Sequence, residues 1–322
     1  MRSPRLKLLD CVAVYHCVSR IVGGALLLGD AEKERFRKLM WVLADFCGVE
    51  IIAHTLMSNH IHLVVRVPVR GPISDEELAR RVRLLYPKNS SQVQAIAQDL
   101  KATGKISPQL RERYLKRMGD VSMFFKELKQ RYTRWYNRKH ERYGTLWAER
   151  FKSLIVEDQY AALLTAAAYT DLNAVRAGLV EDPKDYRFCG YAEAVVMDGK
   201  ARAGLASFLP GKTWREKAGH YREYLFCRAE ISGHADKVSL TREQIRAKLR
   251  KDGQLALNEV LRLRVRYLTD GAVLGSREFV DACFRRFRPH FGSRRKEGAR
   301  PMKGAEWGGL MVLRALQQDV FG

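Results

Sequence analysis

Two histidines one residue apart open the stretch "SNHIHLVVRVP", residues 58–68. In a strand, side chains two apart share a face, so His60 and His62 point one way and Ile61 and Leu63 the other. A neutral imidazole is a good ligand for Mn²⁺, Zn²⁺ or Fe²⁺ and a tolerable one for Mg²⁺. One histidine on an apolar strand is more often a satisfied core residue. Two on one face beside a turn bring metal binding level with that reading. Two ligands do not complete a site, so another oxygen or nitrogen must come from elsewhere. The Ala-rich segment 158–178 offers one. Tyr169 and Asn173 are four residues apart, one turn from each other on one helical face. Ala166, Ala167 and Ala168 before them are small enough to let a helix approach a sheet closely. The chain has 13 tyrosines, and Tyr132 and Tyr136 are the competitors of Tyr169 for a chemical role.

The elements that must position these residues are legible in the periodicities. "CVAVYHCVSR" (11–20), "VEIIAHTLM" (49–57) and "HIHLVVRVP" (60–68) read as strands, with "SN" as the turn between the last two. Between the first pair lies a helix. Asp30 is its N-cap candidate, Phe36, Leu39, Met40 and Leu43 form its apolar stripe, and Gly48 ends it. Residues 70–120 are more polar, and "SDEELARRVRLLY" and "SPQLRERYLKRM" read as short helices of an insertion. "VSMFFKELKQRYTRWYNRKH" (121–140) is a long amphipathic helix, "RFKSLIVE" (150–157) a strand, and 158–178 a helix that Gly178 ends. The order β-α-β-β-(insertion)-α-β-α predicts an α+β fold of ferredoxin-like type, an antiparallel sheet with helices on one face. Residues 1–198 form this expected core and 199–238 a linker. Residues 239–322 form a helical basic accessory region, in which Thr241 and Gln244 stand as a capping box and two helices flank the turn "TDGAVLGS". Every strand so predicted lies before residue 160.

Composition limits the partners. The 322 residues include 58 Lys plus Arg against 36 Asp plus Glu, a formal charge of +22, so an anion is the expected partner and nucleic acid the commonest one. Ribosomal or membrane-surface roles fit the same charge. At 46% hydrophobic residues the chain can build a core. Its six cysteines are scattered without a C-x-x-C, which disfavours a zinc ribbon or a zinc nucleobase deaminase. No apolar run is long enough to span a membrane, and the expected setting is a reducing cytoplasm. "GKT" at 211–213 lacks the earlier glycine of a P-loop.

The pieces also resemble a family. "MSNHIHLVV" matches the histidine–hydrophobic–histidine motif of HUH single-tyrosine transposases. "GTLWAERFKSLIV" followed by "YTDLNAVRAGLV" resembles the REP-associated tyrosine transposases of that superfamily, and "YHCVSR" and "DYRFCGY" fit its first strand and its segment after the helix. The resemblance covers about residues 10–195. It implies an HUH core in which His60 and His62 are metal ligands, Tyr169 is the nucleophile and Asn173 supplies the third protein ligand. It implies a divalent ion, Mg²⁺ or Mn²⁺, and single-stranded DNA with hairpin or repeat elements as substrate, acted on by a monomer or homodimer. The chain departs from the family at Asn173-Ala174, where Asn-Pro is usual, and at Ala148 and Glu149.

DNA contacts are expected from the basic faces. Arg131, Arg134, Arg138 and Lys139 follow the long helix, and Arg150 and Lys152 sit in the strand beside the site. In "FRRFRPHFGSRRKEGARPMK" (284–303), Arg285, Arg286, Arg288, Arg294, Arg295 and Lys296 would meet phosphates while Phe284, Phe287 and Phe291 stack on bases. Each such run can equally be a solvated face. Two other functions remain open: a domesticated relative that only binds hairpins, and a metal-dependent nuclease that uses water.

Overall fold

Up to residue 160 the order of elements follows the order of the apolar patterns. The computed structural model describes residues 5–197, 199–226 and 255–314. Strand β1 (Ala13–Arg20) leads to helix α1 (Asp30–Cys47), then to strands β2 (Glu50–Leu56) and β3 (His60–Val67). α1 carries Asp30 and Glu32 in its positive first turn, and Gly29 rather than Asp30 holds the cap position. It stops at Gly48, whose φ of 66° lets its N–H reach back to the carbonyls of Ala44 and Asp45. The Met57 N–H donates to His60 O at 2.8 Å and closes the β2–β3 hairpin.

The insertion holds three helices, α2 (Asp75–Leu85), α3 (Ser91–Thr103) and α4 (Pro108–Leu115), one more than predicted. The extra one, α3, buries only Val93 and Ile96, too few apolar positions to stand out as a stripe. α5 (Val121–Lys139) begins under Asp120, whose carboxylate accepts from the N–H groups of Ser122 and Met123 at 2.7 and 2.9 Å. Strand β4 (Lys152–Val156) follows, then α6 (Tyr160–Asp171) and the short α7 (Asn173–Arg176). The single helix predicted over 158–178 thus steps at Leu172. The Leu172 N–H bond to Ala168 O and the Arg176 N–H bond to Leu172 O, at 2.9 and 2.8 Å, carry the helical path across.

The second half departs from expectation. α8 (Gly190–Val196), α9 (Lys200–Ala206) and α10 (Trp214–Phe226) pack on the core, so the described part of the predicted linker is structured. Gly204 lies so close to the Ile51 carbonyl that any Cβ would collide, which is how α9 rests on β2. The remainder of that linker, and the segment with Thr241 and Gln244, lie outside the described residues. α11 (Leu257–Leu261) and α12 (Arg266–Thr269) precede strand β5 (Val273–Gly275). α13 (Arg277–Arg286), β6 (Arg300–Pro301) and β7 (Met311–Leu313) complete the described chain. The stretch read as a turn between two helices therefore contains a strand. Among the described residues the strands form one seven-stranded sheet in the order β2-β3-β1-β4-β5-β7-β6. β5 runs parallel to β4, with Ile155 opposite Val273 and Val156 opposite Leu274, and the other pairs are antiparallel. A purely helical accessory region is thus corrected to one that extends the core sheet.

The α+β class holds, and the helices flank both faces of the sheet rather than one. Register puts Val14, His16 and Val18 of β1 on the face of His62 and Val64 of β3 and Leu154 of β4. α6 covers this face: the Thr55 hydroxyl, in register with His62, donates to Thr170 O at 2.8 Å. α1 and α5 cover the other. Trp41 meets the His54 ring edge-on at 5.7 Å, Phe36 meets Tyr132 at 5.0 Å, and Phe125 stacks on Phe151 at 4.0 Å. No helix among the described residues is long and apolar enough to cross a membrane.

Candidate active site

The hairpin places His60 and His62 at the start of β3, and the α6–α7 step brings Tyr169 and Asn173 over them. His60 and His62 have ring centroids 5.2 Å apart. The Tyr169 ring lies 6.1 Å from His62, and Asn173 Oδ1 is 3.4 Å from His60 Nε2. Four residues drawn from β3 and from a helix over a hundred residues later thus share one patch of the sheet. Tyr132 and Tyr136 do not. Their hydroxyls donate to Glu32 O and Leu27 O at 3.0 and 3.3 Å, within the α1–α5 layer.

Two hydrogen-bond chains determine where the imidazole protons sit. Asn59 Nδ2 donates to Gly24 O at 3.3 Å, which turns Asn59 Oδ1 toward His60 Nδ1, 2.6 Å away. His60 therefore carries its proton on Nδ1 and presents a bare Nε2 to Asn173. His62 Nδ1 lies 2.9 Å from His16 Nε2, and His16 Nδ1 lies 2.9 Å from the Leu268 carbonyl. A carbonyl only accepts, so His16 donates from Nδ1, accepts at Nε2, and leaves His62 with its proton on Nδ1. Burial lowers His16 and His60 to about 4 and takes His62 well below its ordinary value, so all three are neutral near pH 7.

The donor set fits a divalent cation. Two ligands at ~2.1 Å from one ion and roughly 90–110° apart lie about 3.0–3.4 Å from each other, the spacing of an oxygen and a nitrogen that would otherwise face as two acceptors. His60 Nε2 and Asn173 Oδ1 have that spacing at 3.4 Å. The buried Asn173 Nδ2 has no hydrogen-bond partner among the described residues. No group of three or more His, Cys, Asp or Glu there is arranged to hold a metal, so such an ion would depend on an amide and on oxygens from outside the protein.

Sequence reasoning missed three residues. His16 was read only as part of a strand. Arg176 lies with its guanidinium carbon 3.9 Å from the centre of the Tyr169 ring, and donates to Tyr169 O at 2.9 Å and Leu261 O at 2.5 Å. Arg20 is exposed and directly opposite His60 in register. The alternation Val14–His16–Val18 marked His16 as sharing a face with its neighbours, but not whose face. Tyr169 is 1% exposed.

The Tyr169 helix is pinned by a buried carboxyl. Asp171 accepts from the Tyr221 hydroxyl at 2.6 Å and faces the Cys189 thiol at 3.1 Å. Burial raises Asp171 from 3.8 to about 6. Its protonated form is favoured in the fold, so this contribution to stability is complete below about pH 4 and lost as pH rises through about 6. The size is about 3 kcal/mol. Asp171→Asn should remove that slope, read as denaturant midpoints measured from about pH 4 to 7. Parallel slopes in the two proteins would show that Asp171 does not titrate this way.

The basic residues divide. Arg131, Arg134 and Arg138 line a groove of about 450 Å³ with Arg35, Lys38 and Trp135, in the helix layer opposite the histidines. Lys139 is paired with Glu32 at 2.5 Å and Arg131 with Glu127 at 3.1 Å. Lys152 is on the histidine face, paired with Asp270 at 2.8 Å; Arg150 is exposed but precedes β4 rather than lying in the strand as expected. In the 284–303 run, Arg285, Arg294 and Lys296 are exposed, and Arg286 pairs with Asp10 at 2.8 Å. Arg288 and Arg295 instead donate to backbone carbonyls, at 2.9 Å to Ser293 O and 2.7 Å to Arg314 O, and hold their loop. Phe284 and Phe287 are buried, so the expectation that they stack on bases is corrected: they serve packing.

The sequence matches no protein-family model and no curated protein. Among solved structures, one of a REP-associated tyrosine transposase bound to a REP hairpin is similar over 66% of this chain and 93% of the other, with 14% identity and a TM-score of 0.40.

Proposed function

We propose that this chain cuts and rejoins single-stranded DNA bearing hairpin or repeat elements, as a transposase of the single-tyrosine type. The observation that supports this reading is the convergence of His60, His62 and Asn173 with Tyr169 on one sheet face, with Arg176 against the tyrosine ring. Mg²⁺ or Mn²⁺ would be held by His60 Nε2, His62 Nε2 and Asn173 Oδ1, and when bound it polarises the scissile phosphate and stabilises leaving-group charge. The Tyr169 hydroxyl attacks phosphorus. A Tyr–O–P bond forms as the P–O3′ bond breaks; the tyrosine hydroxyl gives up its proton and the departing 3′ oxygen takes one up, leaving a 5′-phosphotyrosine and a 3′-OH. Attack by a 3′-OH on the phosphotyrosine reverses the step, so joining needs no ATP. Arg20, exposed and opposite His60 in register, is the cation suited to hold the incoming strand, and the Arg131–Arg134–Arg138 groove suits the phosphates of a stem.

Because Tyr169 is buried, cleavage requires an opening step that brings a phosphate to its hydroxyl. The same burial favours a second reading, a protein that binds hairpins without cutting them. Incubation with hairpin-bearing single-stranded DNA and Mg²⁺ or Mn²⁺ separates the two. The expected result is a covalent protein–DNA adduct that excess EDTA prevents. His60→Ala and His62→Ala should each lose most of the activity. Asn173→Ala should lose less, because water can replace an amide oxygen. Binding with no adduct would leave the hairpin-binding reading, and full cleavage in EDTA would remove the metal.

A further inference from the structure

We propose that His16 is a positioning residue that fixes the tautomer of His62, with its own orientation set by the backbone of the C-terminal region. The inference rests on the metal reading of His62 given above. His16 sits on β1, and its ring stacks on His62 with centroids 5.1 Å apart and planes 24° from parallel. It is 1% exposed and His62 2%, so no bulk water competes for their nitrogens. Both His16 nitrogens are engaged, Nδ1 with Leu268 O and Nε2 with His62 Nδ1, each at 2.9 Å. The carbonyl sets the direction of the whole chain. His16 must donate to it, must then accept from His62, and His62 must keep its second nitrogen free of hydrogen. Which ring nitrogen can bind a metal is set by the bond that the other makes, and such outer partners typically change affinity by 10–100-fold.

The terminal acceptor is far away in sequence and firmly held. Leu268 is buried in α12, and the next turn is anchored to β4 by the Lys152–Asp270 pair at 2.8 Å. The strands that follow continue the sheet from β4. The same His16 ring meets Tyr169 edge-on at 5.9 Å, so one side chain contacts a proposed ligand and the proposed nucleophile. The C-terminal region thereby contributes a backbone atom to the site's geometry, in addition to any DNA contact it makes.

Long-range ¹H–¹⁵N NMR of the imidazoles in the metal-free full chain tests this directly. Wild-type His62 is expected as the Nδ1–H tautomer. His16→Leu should shift it toward Nε2–H and weaken Mn²⁺ binding, read by electron paramagnetic resonance, by about 10- to 100-fold. His16→Gln can donate to Leu268 O and accept from His62, so it should keep both the tautomer and the affinity. An Nε2–H tautomer in the wild type overturns the proposal, whether or not the leucine variant folds. So does a folded His16→Leu protein with wild-type Mn²⁺ affinity. A wild-type protein that shows the Nδ1–H tautomer but binds no Mn²⁺ overturns the metal reading and leaves the His16 relay standing.

Discussion

Tyr169→Phe should abolish the covalent adduct, lowering cleavage by about 10⁴-fold or more, as loss of other covalent nucleophiles does, while DNA binding stays nearly unchanged. The substitution removes one oxygen from a ring that keeps its packing against His16, His62 and Arg176. Tyr132→Phe and Tyr136→Phe are the matched controls. Each loses one hydrogen bond to a backbone carbonyl in the α1–α5 layer, worth about 1 kcal/mol of stability, and should still form the adduct. Gel retardation with the same oligonucleotide separates loss of chemistry from loss of binding. An adduct formed by Tyr169→Phe would move the nucleophile elsewhere or replace it with water.

Removing residues 227–322 should prevent the rest from folding as a soluble, cooperative unit. The sequence pattern alone, with every predicted strand before residue 160, implies instead that the core would fold without residues 200–322. The structure gives β4 a partner from the far end of the chain: Ile155 and Glu157 donate their N–H groups to Ala272 O and Leu274 O, each at 2.9 Å. Val260, Leu261, Val265, Leu268, Val273, Leu274, Val312 and Leu313 are all at most 1% exposed, in one cluster with the core. At about 1.5–3 kcal/mol for each fully buried aliphatic side chain, exposing even a few of their contacts rivals a typical total stability of about 5–15 kcal/mol. β4 would also become an unpaired edge, prone to association. A truncated chain with a sharp thermal transition and a native near-ultraviolet circular dichroism spectrum would count against this. In that event the weakened salt dependence expected of a separable DNA-binding module becomes the property to measure.

The β-α-β-β-(insertion)-α-β-α order was legible because each step has a local period: two along β1 and β3, near 3.6 along α1 and α5, with Gly48 marking the end of α1. His60 and His62 on one face followed from the same period of two. The one-turn spacing of Tyr169 and Asn173 survived the step at Leu172. Tertiary structure alone decided the rest. The strand Val273–Gly275 has three residues, too few for any alternation, and exists because β4 offers it a ladder. α3 was hidden by its polarity, and α9 inside an expected linker by the glycine that lets it dock. Charge runs report how many cations a segment carries, not whether a carboxylate or a carbonyl faces them. Lys139 therefore pairs with Glu32, and Arg295 ties down a loop. His16 shows the limit most directly. Its residue type and strand were readable, but its role depends on a carbonyl 252 positions away and on a histidine 46 positions away. Local sequence encodes which way a side chain points; only the packed sheet decides what it meets there.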